Sequence, residues 1–84
     1  MGTKEKLLER IKTLPKDFTF EEATRLLLLC GYKLENKGKT SGSKVLFIDN
    51  AHRKILLHKP HPGNILKGYA IKEIVDKLQR NGNI

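Results

Sequence analysis

The sequence predicts a two-layer α+β domain, with helices on one face of a three-stranded antiparallel meander, in the order α-α-β-β-β-α. Three observations carry this. Two helical apolar repeats with start and stop signals precede Gly31. From Tyr32 to Lys59 the helical period gives way to alternation of apolar and polar residues. A last helical repeat follows Pro62 and Gly63. With 84 residues the chain has room for one domain and not for two.

Each element has a local cause. Thr3 can cap a first helix reaching about Leu14, with Leu7, Leu8, Ile11 and Leu14 on one face and Pro15 as its stop. Thr19 and Glu22 form a capping box for a second helix from Phe20 to about Cys30, with Phe18 stapled near Ala23. Gly31 supplies its left-handed stop. The four leucines Leu26 to Leu29 make this helix apolar on most sides, so it should be covered by a sheet beneath and the first helix beside it. A first strand follows at Tyr32–Glu35, then a Gly/Ser/Lys-rich turn at 36–43, and a second strand at Lys44–Asp49. A short loop, Asn50-Ala51-His52, leads to a third strand at Arg53–Lys59, which Pro60, Pro62 and Gly63 end. The last helix, from about Tyr69 to Asn81, places Ile71, Ile74, Val75 and Leu78 on one face. Only the termini look dispensable.

Charge narrows the partners. The net charge is +8, and the stretch Lys33–Lys67, with eight basic and two acidic residues, carries +6 of it. A basic segment of this kind suits a polyanion: RNA, DNA, an acidic protein or an anionic membrane surface. A single cysteine, Cys30, rules out an internal disulfide and points to a reducing compartment. Closing a leucine-rich helix, it reads as structural rather than nucleophilic. The apolar runs are too short to span a membrane and the start of the chain lacks a secretory pattern, so a cytoplasmic location is expected. His52, His58, His61 and Cys30 lack the spacing of a zinc site, so no metal and no cofactor is expected.

The two long strands can be paired by parity. A three-residue loop centred on Ala51 sets Asp49 against Arg53, Phe47 against Ile55 and Val45 against Leu57, which gathers the four apolar residues onto one face. The same register puts Lys44 opposite His58 on the other face, beside Leu46–Leu56 and near Lys54. That face also carries Ile48 and is more apolar than a solvated face needs to be. The N-terminal helix, a partner protein or a nucleic acid should cover it.

At this point the residues resemble a known family. Gly42-Ser43-Lys44-Val45-Leu46-Phe47, then His58-Lys59-Pro60-His61-Pro62-Gly63 and Leu66-Lys67-Gly68 before a final helix, look like the HicA toxins. The match covers about Phe20 to Ile84. It divides the single domain 1–84 into a HicA-like core at 18–84 and an extra N-terminal helix at 1–17. The resemblance implies a double-stranded-RNA-binding-like fold and a toxin that cleaves mRNA and is silenced by a HicB-type antitoxin. The family carries a histidine after Gly-Ser at the head of the second strand; here that position is Lys44.

Metal-independent RNA cleavage needs one group to take the 2′-hydroxyl proton and another to stabilise the phosphate and leaving oxygen. His58 as the base with Lys44 on the phosphate meets that need, and His61 could act as the acid or merely cap the loop. Both histidines could instead be surface residues of a turn packed on Pro60 and Pro62. Lys37, Lys39, Thr40 and Ser43 lie in a Gly-rich turn suited to phosphate contacts, as do Lys54 and Lys59 on the third strand. Aromatic residues are few and Phe47 belongs to the core, so recognition by shape and backbone fits better than base stacking. The expected function is thus a ribonuclease toxin. The alternatives are a non-catalytic RNA-binding module, or a domain whose Leu46/Ile48/Leu56 face binds an acidic partner.

Overall fold

The computed structural model describes residues 2–35, 44–60 and 63–84. Helices α1 (Thr3–Lys12) and α2 (Phe20–Leu29) precede strands β1 (Lys33–Glu35), β2 (Lys44–Ile48) and β3 (Lys54–His58), and helix α3 (Gly68–Arg80) closes the chain. The strands form one antiparallel sheet in the order β1-β2-β3. All three helices pack on one side of it. Leu7 and Ile11 of α1, Ala23, Leu26 and Leu27 of α2, and Ile71, Ile74 and Leu78 of α3 share a core with Phe47, Ile55 and Leu57. Phe47, at the centre of the sheet, is fully buried. Truncating such a residue to Ala costs roughly 3–5 kcal/mol, a large share of the stability available to a small domain.

The second helix starts as its sequence requires. The Thr19 hydroxyl accepts from the Glu22 N–H at 3.1 Å, and the Glu22 carboxylate accepts from the Thr19 N–H at 2.9 Å. A cap of this kind is worth about 1 kcal/mol. Glu22 is shared with α1: Arg10 donates to it at 2.6 Å and to Asp17 at 2.7 Å, with its guanidinium 5.2 Å above the Phe18 ring.

Four expectations need correction. Helix α1 begins one residue after Gly2, whose N–H is held by the Glu5 carboxylate at 3.0 Å, so Thr3 is not its cap. It ends at Lys12 because Leu14, ahead of Pro15, takes a left-handed conformation (φ 53°) and is exposed; a steric clash with the proline ring disfavours the helical region for the residue before it. Leu28 and Leu29 are 48% and 42% exposed, since the short sheet and α1 together cover only the Ala23–Leu26–Leu27 side of α2. The C-terminus is not dispensable: the Asn81 amide donates to the Tyr32 hydroxyl, which donates to Asn83 at 3.0 Å, and Ile84 packs on the core.

The β2–β3 turn is held by one carboxylate. Asp49 accepts from the N–H of Ala51 at 3.0 Å, the N–H of Arg53 at 2.8 Å and the Arg53 guanidinium at 2.9 Å. His52 takes the left-handed conformation (φ 64°) that a three-residue hairpin loop needs. Arg53 also donates to the Asn81 carbonyl at 3.2 Å, tying the turn to the end of α3.

Burial opposes ionisation of Asp49, but the N–H and guanidinium of Arg53 and the Ala51 N–H outweigh it and hold the carboxyl below its ordinary range. At Glu22 burial is likewise outweighed, by the Thr19 N–H and by Arg10. A depressed folded-state pKa stabilises fully above the unfolded value, near pH 4, and that stabilisation is lost as pH falls through the folded value. The melting temperature should therefore fall as the pH is lowered below about 4. In the double variant Asp49→Asn/Glu22→Gln the melting temperature at pH 7 should be lower and the acid drop shallower; an unchanged slope would refute the assignment.

Candidate nucleic-acid interface

The observed register is Lys44↔His58, Val45↔Leu57, Leu46↔Leu56, Phe47↔Ile55 and Ile48↔Lys54, as parity requires. Val45, Phe47, Ile55 and Leu57 face the helices, with Phe47, Ile55 and Leu57 buried and Val45 partly so. Lys44, Leu46, Ile48, Lys54, Leu56 and His58 therefore share the outer face, joined from β1 by Lys33 beside Ile48 and Glu35 beside Leu46. Helix α1 does not cover this face, because its apolar side is buried in the core opposite. Leu56 remains 45% exposed, between the cations of Lys54 and Lys44.

The Asp49 N–H donates to the Arg53 carbonyl at 3.1 Å, and hydrogen-bonded pairs alternate along an antiparallel ladder. Counting from there, Lys44–His58 is a non-hydrogen-bonded pair, the class whose side chains approach most closely, with Cβ atoms about 4.5–5.5 Å apart. On β3, an edge strand, the backbone groups of Leu56 and His58 then point to the open edge rather than to β2. Both side chains of the pair are exposed.

That open edge is one wall of a cleft of about 220 Å³ between β3 and α3. Its floor is apolar, from Ile55, Leu57, Leu66 and Ile74. Its rim carries three lysines, Lys59, Lys67 and Lys77, with His58, Tyr69 and Glu73 beside them. The wall opposite β3 is held in place by a clip far from it in sequence. Ile65 bridges to Thr19, the Leu66 N–H donates to the Phe18 carbonyl at 2.9 Å, and the Phe20 N–H donates to the Asn64 carbonyl at 2.7 Å. This clip anchors Leu66 and starts α3 facing the strand edge.

The expected site residues are thus placed as follows. Lys44 and His58 come together across the hairpin, Lys59 joins His58 on the cleft rim, and Lys54 lies two residues along the outer face from Leu56. His61, Lys37, Lys39, Thr40 and Ser43 lie outside the described residues. Sequence reasoning missed Lys67, Tyr69, Glu73 and Lys77. Their signal was present, since Tyr69, Glu73 and Lys77 recur every four residues on a stripe of α3 beside its apolar face.

Cys30 closes α2 against the core, and burial pushes its thiol pKa up, which keeps it protonated and unreactive. Among the described residues there is no group of three His, Cys, Asp or Glu side chains placed to hold a metal ion, and no helix is long and apolar enough to cross a membrane. No protein-family model, curated protein or solved structure matches the chain.

The rim cations should act together on any polyanion. Lys59→Glu/Lys67→Glu should elute from heparin at clearly lower salt than the wild type, by more than the same charge change at Lys4 and Lys12 on α1, with an unchanged melting temperature. Equal shifts for the two pairs would mean that net charge alone governs binding.

Proposed function

We propose that this protein is an RNA-acting domain of the HicA toxin type, an mRNA endonuclease with a double-stranded-RNA-binding-like fold, working in the cytoplasm. The observation that carries the reading is the Lys44–His58 pair, exposed beside a cationic cleft at the open end of a hairpin. The HicA resemblance of the 42–68 stretch supplies the reaction. The lysines supply affinity: Lys44, Lys54 and Lys59, with Lys37, Lys39, Thr40 and Ser43 added from the sequence, contact phosphates without reading bases.

The chemistry balances without a metal. His58 takes the proton of a ribose 2′-hydroxyl, and the 2′-oxygen attacks the adjacent phosphorus. Lys44 stabilises the extra negative charge on the phosphorane oxygens as a point charge. The bond from phosphorus to the 5′-oxygen breaks, leaving a 2′,3′-cyclic phosphate, and the leaving oxygen takes a proton from a general acid, the role proposed here for His61. Imidazole is the side chain suited to move protons at neutral pH. The half-exposed Leu46–Ile48–Leu56 row on the outer face is the surface to which a HicB-type antitoxin would bind.

A second reading has its own support. With lysine rather than histidine at position 44, the pair holds a phosphate better than it shuttles two protons, which favours a non-catalytic RNA-binding module. A structured mRNA incubated with protein in EDTA separates the two. The nuclease reading expects cleavage, reduced at least about 100-fold by His58→Ala, with RNA binding kept. Salt-sensitive binding without cleavage at high protein concentration would establish the module instead. Absence of RNA binding at low salt would overturn both and leave the outer face as a protein-docking surface.

A further inference from the structure

The cleft between β3 and α3 has a composition that phosphate binding does not require. A site that only grips a backbone needs cations on a surface, as in the Lys44–Lys54–Lys59 set. Among its described lining residues this one has an apolar floor of Ile55, Leu57, Leu66 and Ile74, an aromatic ring at its rim, and one carboxylate, Glu73, beside four basic side chains. Tyr69 is 67% exposed, although α3 has a complete apolar face in Ile71, Ile74 and Leu78. Its ring is therefore not part of the core. Tyr69, Glu73 and Lys77 sit at four-residue spacing, so they follow one line along the helix, and all three line the cleft opposite the β3 edge. The volume, about 220 Å³, is below the roughly 300–1,000 Å³ of a pocket for a drug-sized ligand. It suits one flat ring system.

We infer that this cleft takes a single unpaired guanine of an RNA strand, stacked on Tyr69 and read along its edge by Glu73. The inference rests on the RNA-binding reading above and adds to it a means of choosing a site. Every base has a face that can stack on an aromatic ring, so Tyr69 supplies affinity without choice. Glu73 supplies the choice. An ionised carboxylate only accepts hydrogen bonds, and guanine presents two adjacent N–H donors on its Watson–Crick edge, which one carboxylate can accept together. Uracil presents one N–H between two carbonyl oxygens and would set those oxygens against the carboxylate. Lys59 and Lys67 on the rim are placed for the flanking phosphates. His58 belongs both to the cleft and to the pair with Lys44, so a base seated there brings its own phosphate to that pair.

The test uses the full chain and hexaribonucleotides methylated at every 2′-oxygen, so that binding is read without cleavage. One hexamer is all uridine, another has a single central guanosine, and a duplex serves as control; affinity is followed by fluorescence anisotropy at low salt. The guanosine hexamer should bind about tenfold more tightly than the uridine one. Tyr69→Ala should weaken it about tenfold and Tyr69→Phe should keep it, with melting temperatures unchanged because the ring is exposed. Glu73→Ala should bring the two hexamers within about twofold. Equal wild-type affinity for both hexamers, or undiminished binding by Tyr69→Ala, overturns the inference. Binding of the duplex alone overturns it while sparing the RNA-binding reading, and binding of no RNA at all overturns that reading as well.

Discussion

The Asp49 carboxylate does more than close a turn. It gathers two backbone N–H groups and the Arg53 guanidinium, while Arg53 reaches on to the Asn81 carbonyl. One side chain thus sets the length of the β2–β3 loop and fastens it to the far end of α3. Loop length sets register, and register sets the face on which every residue of the hairpin lies. Phe47 and Ile55 point into the core for the same reason that Lys44 and His58 meet on the opposite face. A slip by one residue would bury the lysine and expose the phenylalanine, so the stability of the core enforces the geometry of the site.

The other end of the molecule contributes the second wall. Arg10, Asp17 and Glu22 hold the α1–α2 corner, and that corner presents Phe18, Thr19 and Phe20 to residues 64–66. Through this clip the N-terminal helices, remote from β3 in sequence, decide where α3 begins. The cleft exists because two independent fastenings, at Asp49 and at Thr19, bring β3 and α3 to a fixed separation.

These origins explain what could be read from the sequence. The hairpin register was legible because alternation and loop length are local, and the Lys44–His58 pair followed by counting. The Thr19/Glu22 cap was legible for the same reason. The extent of burial on α2 was not: four consecutive leucines look inward in any sequence reading, but a sheet of short strands cannot shelter Leu28 and Leu29. Helix α1 stops short of the end of its apolar repeat because Leu14, ahead of Pro15, leaves the helical conformation. The cleft was hidden because its walls, residues 55–60 and 66–77, meet only through the fold. The motif residues that carry the family resemblance end at Gly68, so nothing in them points to Tyr69 or to the stripe of α3 that follows it.

An exposed edge strand invites copies of the same chain to add to it. β3 carries Leu56 at its middle and open backbone groups along its outer side, a template for sheet growth between molecules. The residues around it oppose that outcome. Lys54 and Lys59 would meet like charges on any approaching copy, Pro60 follows without a backbone N–H, and the whole molecule carries +8. The lysines along this edge therefore act as gatekeepers against self-association, and neutralising them would cost the protein its colloidal stability.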